Sequence, residues 1–146
     1  MEMDEIVEIV RGFDGALVVI PEVGSVFPEL AWGDAFFYFA PDGVMPERTQ
    51  PYGTIITKDY PDDERSDLEP PGRFRVNIQV DRGRAAELTA TPVDPAEADA
   101  FAPHPAYGAA GWVCVVNPGH RTADMVVELL RAAHDAARAR AQRRER

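Results

Sequence analysis

The residues of this chain best suited to chemistry gather around one short stretch, RFRVNIQV at positions 73–80. Arg75, Asn77 and Gln79 alternate there with Phe74, Val76, Ile78 and Val80, so on a strand the polar three share one face. Arg75 offers a planar fork of donors suited to a carboxylate or phosphate, and Asn77 adds a donor and an acceptor on the same side. Lys58 closes an apolar run, Thr54 to Lys58, and reaches the same face if that run pairs with the 73–80 strand. His104 stands between Pro103 and Pro105, which lowers the entropy lost on fixing it, and is the candidate acid/base. Trp32, in Trp32-Gly33-Asp34, sets an indole beside a carboxylate. Trp32, Lys58, Arg75, Asn77 and His104 therefore form the candidate ligand-binding set. Against it stands a simpler reading, a sheet face that is polar because water covers it. The nearby aromatic residues Tyr38, Tyr52, Tyr107 and Trp112 argue for a ligand.

Motifs with a known mechanism are missing. There is no GxxxxGKS/T phosphate loop, GxGxxG, HExxH, CxxC or GxSxG, and so no cofactor is expected. His104, His120 and His134 share no metal-ligand spacing, and no metal site is expected either. His134 falls off the apolar stripe of its helix and reads as a surface residue, while His120 reads as a loop histidine. Cys114, the one cysteine, lies within an apolar strand and reads as a buried, inert thiol.

Charge narrows the partners. The chain carries a net charge of −10, and residues 1–47 hold ten acids against one base, Arg11. An acidic field repels phosphate backbones, so no nucleic-acid partner is expected. Arginines 138, 140, 143, 144 and 146 suit a helix C-terminus, and residues 140–146 read as a fraying basic tail. No run approaches the roughly 20 apolar residues of a membrane span. No signal-like segment opens the sequence, and a cytoplasmic protein is the expectation. A small-molecule ligand and a homo-oligomer are both compatible with this composition.

At 146 residues the chain suits one domain, 1–146, with a real core. The elements that must position the candidate residues follow from periodicity. Asp4–Phe13 reads as an amphipathic helix, and Ala16–Ile20, Ala35–Phe39, Thr54–Lys58 and Arg73–Val80 read as strands. Residues 59–72, with six acids and three prolines, read as a solvated loop. A short helix is expected over 84–90 and a helical turn over 95–101, after the Asp94-Pro95 start signal. Pro103-His104-Pro105 reads as extended loop. Trp112–Asn117 is a further strand, and Pro118-Gly119 separates it from a long helix capped at Thr122. The predicted fold is α+β: an antiparallel sheet of about five strands, helices on one face, the N- and C-terminal helices flanking.

The segments AWGDAFFYFAPDG, QPYGTIITKDYP, FRVNIQV and GWVCVVNPG resemble an uncharacterised family of small actinobacterial proteins. The element order, with PHPAYGAAGWVCVVNPG feeding the last helix, is more distantly similar to MmcQ/YjbR-like proteins. That similarity implies a sheet with helices on one face and, by analogy, a nucleic-acid-binding role. Neither resemblance supplies catalytic residues. Three functions stand in order: a binding module whose sheet face holds a small ligand or partner, a cofactor-independent enzyme using His104 as acid/base, and a nucleic-acid binder.

Overall fold

In the computed structural model, which describes residues 1–145, the apolar runs become the strands of one sheet. These are β1 (Ala16–Val19), β2 (Ala35–Phe39), β3 (Gly53–Ile56), β4 (Arg75–Gln79), β5 (Phe101–Pro103) and β6 (Trp112–Val116). Their order is β1-β2-β3-β4-β6-β5, every neighbouring pair antiparallel. Among the described residues three α-helices complete the α+β fold: α1 (Met3–Arg11), α2 (Arg82–Leu88) and α3 (Ala123–Arg144). None of the described helices is long and apolar enough to cross a membrane. Arg146, the end of the expected basic tail, lies outside the described residues, and α3 runs through Arg144.

The sheet has six strands where about five were expected. The added strand is β5, which pairs with β6 through Phe101↔Val115, Ala102↔Cys114 and Pro103↔Val113. Sequence pattern misses it because three residues cannot display a period, and Pro103 removes a ladder donor. An edge strand tolerates that loss. The helical turn expected over 95–101 is a plain turn leading into β5, with Asp94 Oδ1 accepting from the Ala96 N–H at 2.8 Å.

One sheet face carries the core. Val76 and Ile78 of β4 are fully buried with Val126, Leu129 and Leu130 of α3 and with Ile6, Val7 and Val10 of α1. Each such side chain contributes about 1.5–3 kcal/mol by leaving water. Phe74 is buried as well, whereas Val80 is only half-buried at the strand's end. Gly111, ahead of β6, has φ +96° and lies so close to the Val80 carbonyl that a Cβ there would stand 2.3 Å from its oxygen. Only glycine fits this approach of β6 to β4.

His134 corrects its expected surface position, for it is 2% exposed inside that core. The Asp14 carbonyl, which can only accept, takes the ring's Nε2–H at 2.7 Å, leaving Nδ1 to accept from the Tyr52 hydroxyl at 3.0 Å. Both polar ends being matched, a histidine fits an apolar site; helical periodicity counted it as polar and therefore outward.

The opposite face holds the larger departure. Arg75 and Asn77 do point away from the helices, yet they are buried at 1% and 3% exposure. The acidic segment 59–72 is not solvated loop throughout: it folds back over this face and buries Ser66 and Leu68. Leu68 packs with Ile56 and Val116, and its N–H donates to Asp59 Oδ1 at 3.0 Å. Arg73 ties the segment down further, donating to the carbonyls of Ser66, Asp67 and Ala96. Asp62, Glu64, Asp67 and Glu69 stay in water, while Asp63 turns inward to meet a cation.

α3 starts where Thr122 was expected to cap it, but the Thr122 side chain makes no capping bond and donates instead to Asp99, which gathers the turn ahead of the helix. Asp99 accepts from the N–H groups of Gly119, Arg121 and Thr122 and from the Thr122 hydroxyl. Burial works against this carboxylate, and those four bonds outweigh it, holding Asp99 down at about 2.

Candidate functional site

The five candidate residues separate into two groups. Arg75, Asn77 and His104 meet on the loop-covered sheet face. Trp32 and Lys58 meet elsewhere. Lys58 Nζ donates to the carbonyls of Leu30 and Trp32 at 2.7 and 2.9 Å and to the fully buried Asp34 carboxylate at 3.0 Å. Asp34 also accepts from the Thr57 N–H and hydroxyl and from the Tyr60 hydroxyl. The Trp32 indole N–H is spent on the Phe27 carbonyl at 2.9 Å. These bonds close the loop between β1 and β2 onto the end of β3, and every polar group named has its partner inside the chain. Lys58 and Trp32 are staples of that loop.

Arg75 is likewise occupied. Its Nη1 and Nη2 meet the two oxygens of Asp63 at 2.9 and 2.5 Å, Nη1 also donates to the Ser66 hydroxyl, and Nε donates to Asn77 Oδ1 at 2.8 Å. The fork expected to hold a ligand anion holds Asp63. Burial would lift the Asp63 carboxyl, but the bonds and charge of Arg75 prevail and keep it below the ordinary aspartate range.

Beside this pair lies an open concavity of about 260 Å³, walled by Gln50, Pro51, Tyr107 and Trp112 and floored by Thr54, Asn77 and His104. The sheet register explains the floor, because Thr54 of β3 stands directly opposite Asn77 of β4. His104 arrives from the end of β5, where its N–H bonds the Trp112 carbonyl at 3.0 Å. Its ring stacks obliquely on Tyr107, centroids 4.9 Å apart, and meets Trp112 edge-on at 6.4 Å. Of the candidate set, this concavity takes Asn77 and His104 in its lining and has Arg75 directly behind them.

The protonation of His104 follows from its neighbours. Nδ1 receives the backbone N–H groups of Ala106 and Tyr107 at 3.1 and 3.2 Å. A neutral imidazole has one acceptor nitrogen, so the proton belongs on Nε2. Nε2 then faces Arg75 Nη2 at 3.5 Å, donor against donor. Burial, and after it the positive charge of Arg75, push the ring's pKa down to about 4, with Asp63 opposing. At neutral pH His104 is an uncharged donor.

A model of a family of unknown function, DUF6194, matches residues 1–146. The chain belongs to the DUF6194 family. No curated protein and no solved structure matches it.

Sequence reasoning about this DUF6194 chain found the strand that carries Arg75 and Asn77 but not the partners that bury them. Asp63 and Ser66 lie in a segment whose composition reads as solvent-facing, and no periodicity marks the two that turn inward. Pro51, contributed by the loop before β3, gave no signal. Cys114, paired opposite Asn77 in the register, is buried, and its thiol is pushed up to about 11, which suits an inert group. Among the described residues no group of His, Cys, Asp and Glu has the arrangement of a metal site.

Proposed function

We propose that this protein is a small-molecule-binding module, and that its ligand occupies the concavity between Thr54, Asn77, His104, Tyr107 and Trp112. One observation carries this reading over the enzymatic one. Both backbone N–H bonds to His104 lie on Nδ1, so the other ring nitrogen, Nε2 beside Arg75, already bears a proton. A general base needs a free lone pair there, and supplying it would strand two N–H donors on a protonated Nδ1. A hydrogen-bonding role requires no such change. The apolar walls and few convergent polar groups are those of a ligand pocket, in a concavity just below the usual size range and so suited to a small ligand. The nucleic-acid role implied by the MmcQ/YjbR resemblance draws no support from a net charge of −10.

A thermal-shift screen of metabolites, followed by amide chemical-shift mapping of each hit, tests the proposal. Hits should raise the unfolding midpoint and move the amides of Ala106, Tyr107 and Trp112. Hits that instead move residues around Trp32 and Lys58 would relocate the site and overturn it.

A further inference from the structure

The hydrogen-bonding sense of the pocket floor is set from behind, and it runs in one direction. Arg75 has donors only, so the atom of Asn77 that meets its Nε must be the carbonyl oxygen. The Asn77 amide nitrogen therefore faces Thr54, and donates to its Oγ1 at 2.9 Å. Thr54 has accepted, and its own hydroxyl proton has no acceptor among the described residues. Asn77 Nδ2 keeps a second N–H, and His104 presents Nε2–H. Three donors thus lie at the floor, while Asn77 Oδ1 and His104 Nδ1 beside them accept from Arg75 and from backbone N–H groups; Gln50 in the wall adds an amide with both a donor and an acceptor. The Arg75 guanidinium behind the floor adds positive potential, moderated by Asp63.

We propose, building on the binding role above, that the ligand is a small planar carboxylate: an aromatic or conjugated ring between the Pro51, Tyr107 and Trp112 walls, its oxygens on the donors of Thr54, Asn77 and His104. A carboxylate accepts at about four lone-pair positions and donates none, which matches the three floor donors, and the Gln50 amide in the wall can turn its NH2 to the same group. Charge-assisted bonds of this kind are also about twice as strong as neutral ones. An oxygen seated at His104 Nε2–H would relieve the donor–donor contact with Arg75. A cationic or purely donating head group would meet the floor donor to donor. Arg75 in this arrangement is a positioning residue that orients Asn77 without touching the ligand.

Three probes of one ring size separate the possibilities: benzoate, benzamide and benzylamine, titrated into the full chain by ligand-observed NMR. Benzoate should bind tightest, benzamide more weakly, and benzylamine not measurably. Thr54→Val removes the hydroxyl donor at nearly constant shape and should weaken benzoate at least tenfold. Thr54→Ser keeps the donor and should retain affinity within about threefold. Benzylamine binding as well as benzoate, or benzoate unaffected by Thr54→Val, would overturn the carboxylate assignment while leaving the pocket a binding site. If none of the three binds while the metabolite screen finds a ligand in this pocket, the carboxylate inference falls and the binding reading stands.

Discussion

His104 shows how two weak backbone contacts can decide what a side chain does. With Nδ1 committed to the Ala106 and Tyr107 N–H groups and Arg75 at its other edge, the ring resists a second proton. Its folded pKa, about 4, lies below the ordinary value of 6.5 that it regains on unfolding. The unfolded chain therefore binds the extra proton first. The stability this ring contributes is complete above about pH 6.5 and is lost as pH falls from there towards 4. After discounting for partial solvent screening, the loss is on the order of 1–2 kcal/mol. Urea titrations at pH 7.5 and 4.5 should show it, and His104→Gln should flatten that part of the profile. An unchanged profile in the variant would assign the acid sensitivity elsewhere. From sequence, the flanking prolines marked His104 as a fixed side chain, but its tautomer depends on the turn that follows β5. Arg75 was legible as a side chain on the second face and illegible as an ion-paired one, because its partner lies twelve residues upstream in a segment of different character.

At the scale of elements, alternation and β-branched runs made the long strands readable. β2 was anticipated to the residue, and the burial of Val76 and Ile78 beneath α3 followed from the period of β4. What escaped was the cover on the other face, since a loop held by individual polar bonds has no period to read. The segment 59–72 is the clearest case. It is closed onto the sheet by Asp63 on Arg75, Ser66 beside it, Leu68 against Ile56 and Val116, and Arg73 across its base. Removing one partner of such an ion pair leaves a guanidinium in a site with 1% exposure. Asp63→Asn should therefore cost roughly 3 kcal/mol, the lower end of the usual range because Asp63 itself retains some contact with water. Hydrogen exchange should locate the effect, with the Leu68 amide losing protection before those of the β4–β6 ladder. A change under about 0.5 kcal/mol, with Leu68 still protected, would mean that apolar packing alone holds the segment.

At the scale of the whole molecule, charge is additive, and this property needed no structure to read. Residues 1–47, which form α1, β1, β2 and their connections, carry ten acids and one base. The dense positive cluster sits at the far end of α3, where Arg138, Arg140, Arg143 and Arg144 complement the negative end of the helix dipole. Arg138 is partly neutralised by Asp135 one turn back. A phosphate backbone approaching those arginines meets the acidic field of the remainder within one or two Debye lengths, about 8–16 Å at physiological salt. The few contacts that one helix end can make release few counterions, and binding strength follows that number. Duplex DNA should thus show no mobility shift with micromolar protein at about 0.15 M salt. At low salt, any residual shift should vanish when Arg140, Arg143 and Arg144 are replaced by alanine. A submicromolar, salt-dependent shift that survives those replacements would require a basic surface elsewhere on the described chain, and would restore the nucleic-acid reading over the pocket.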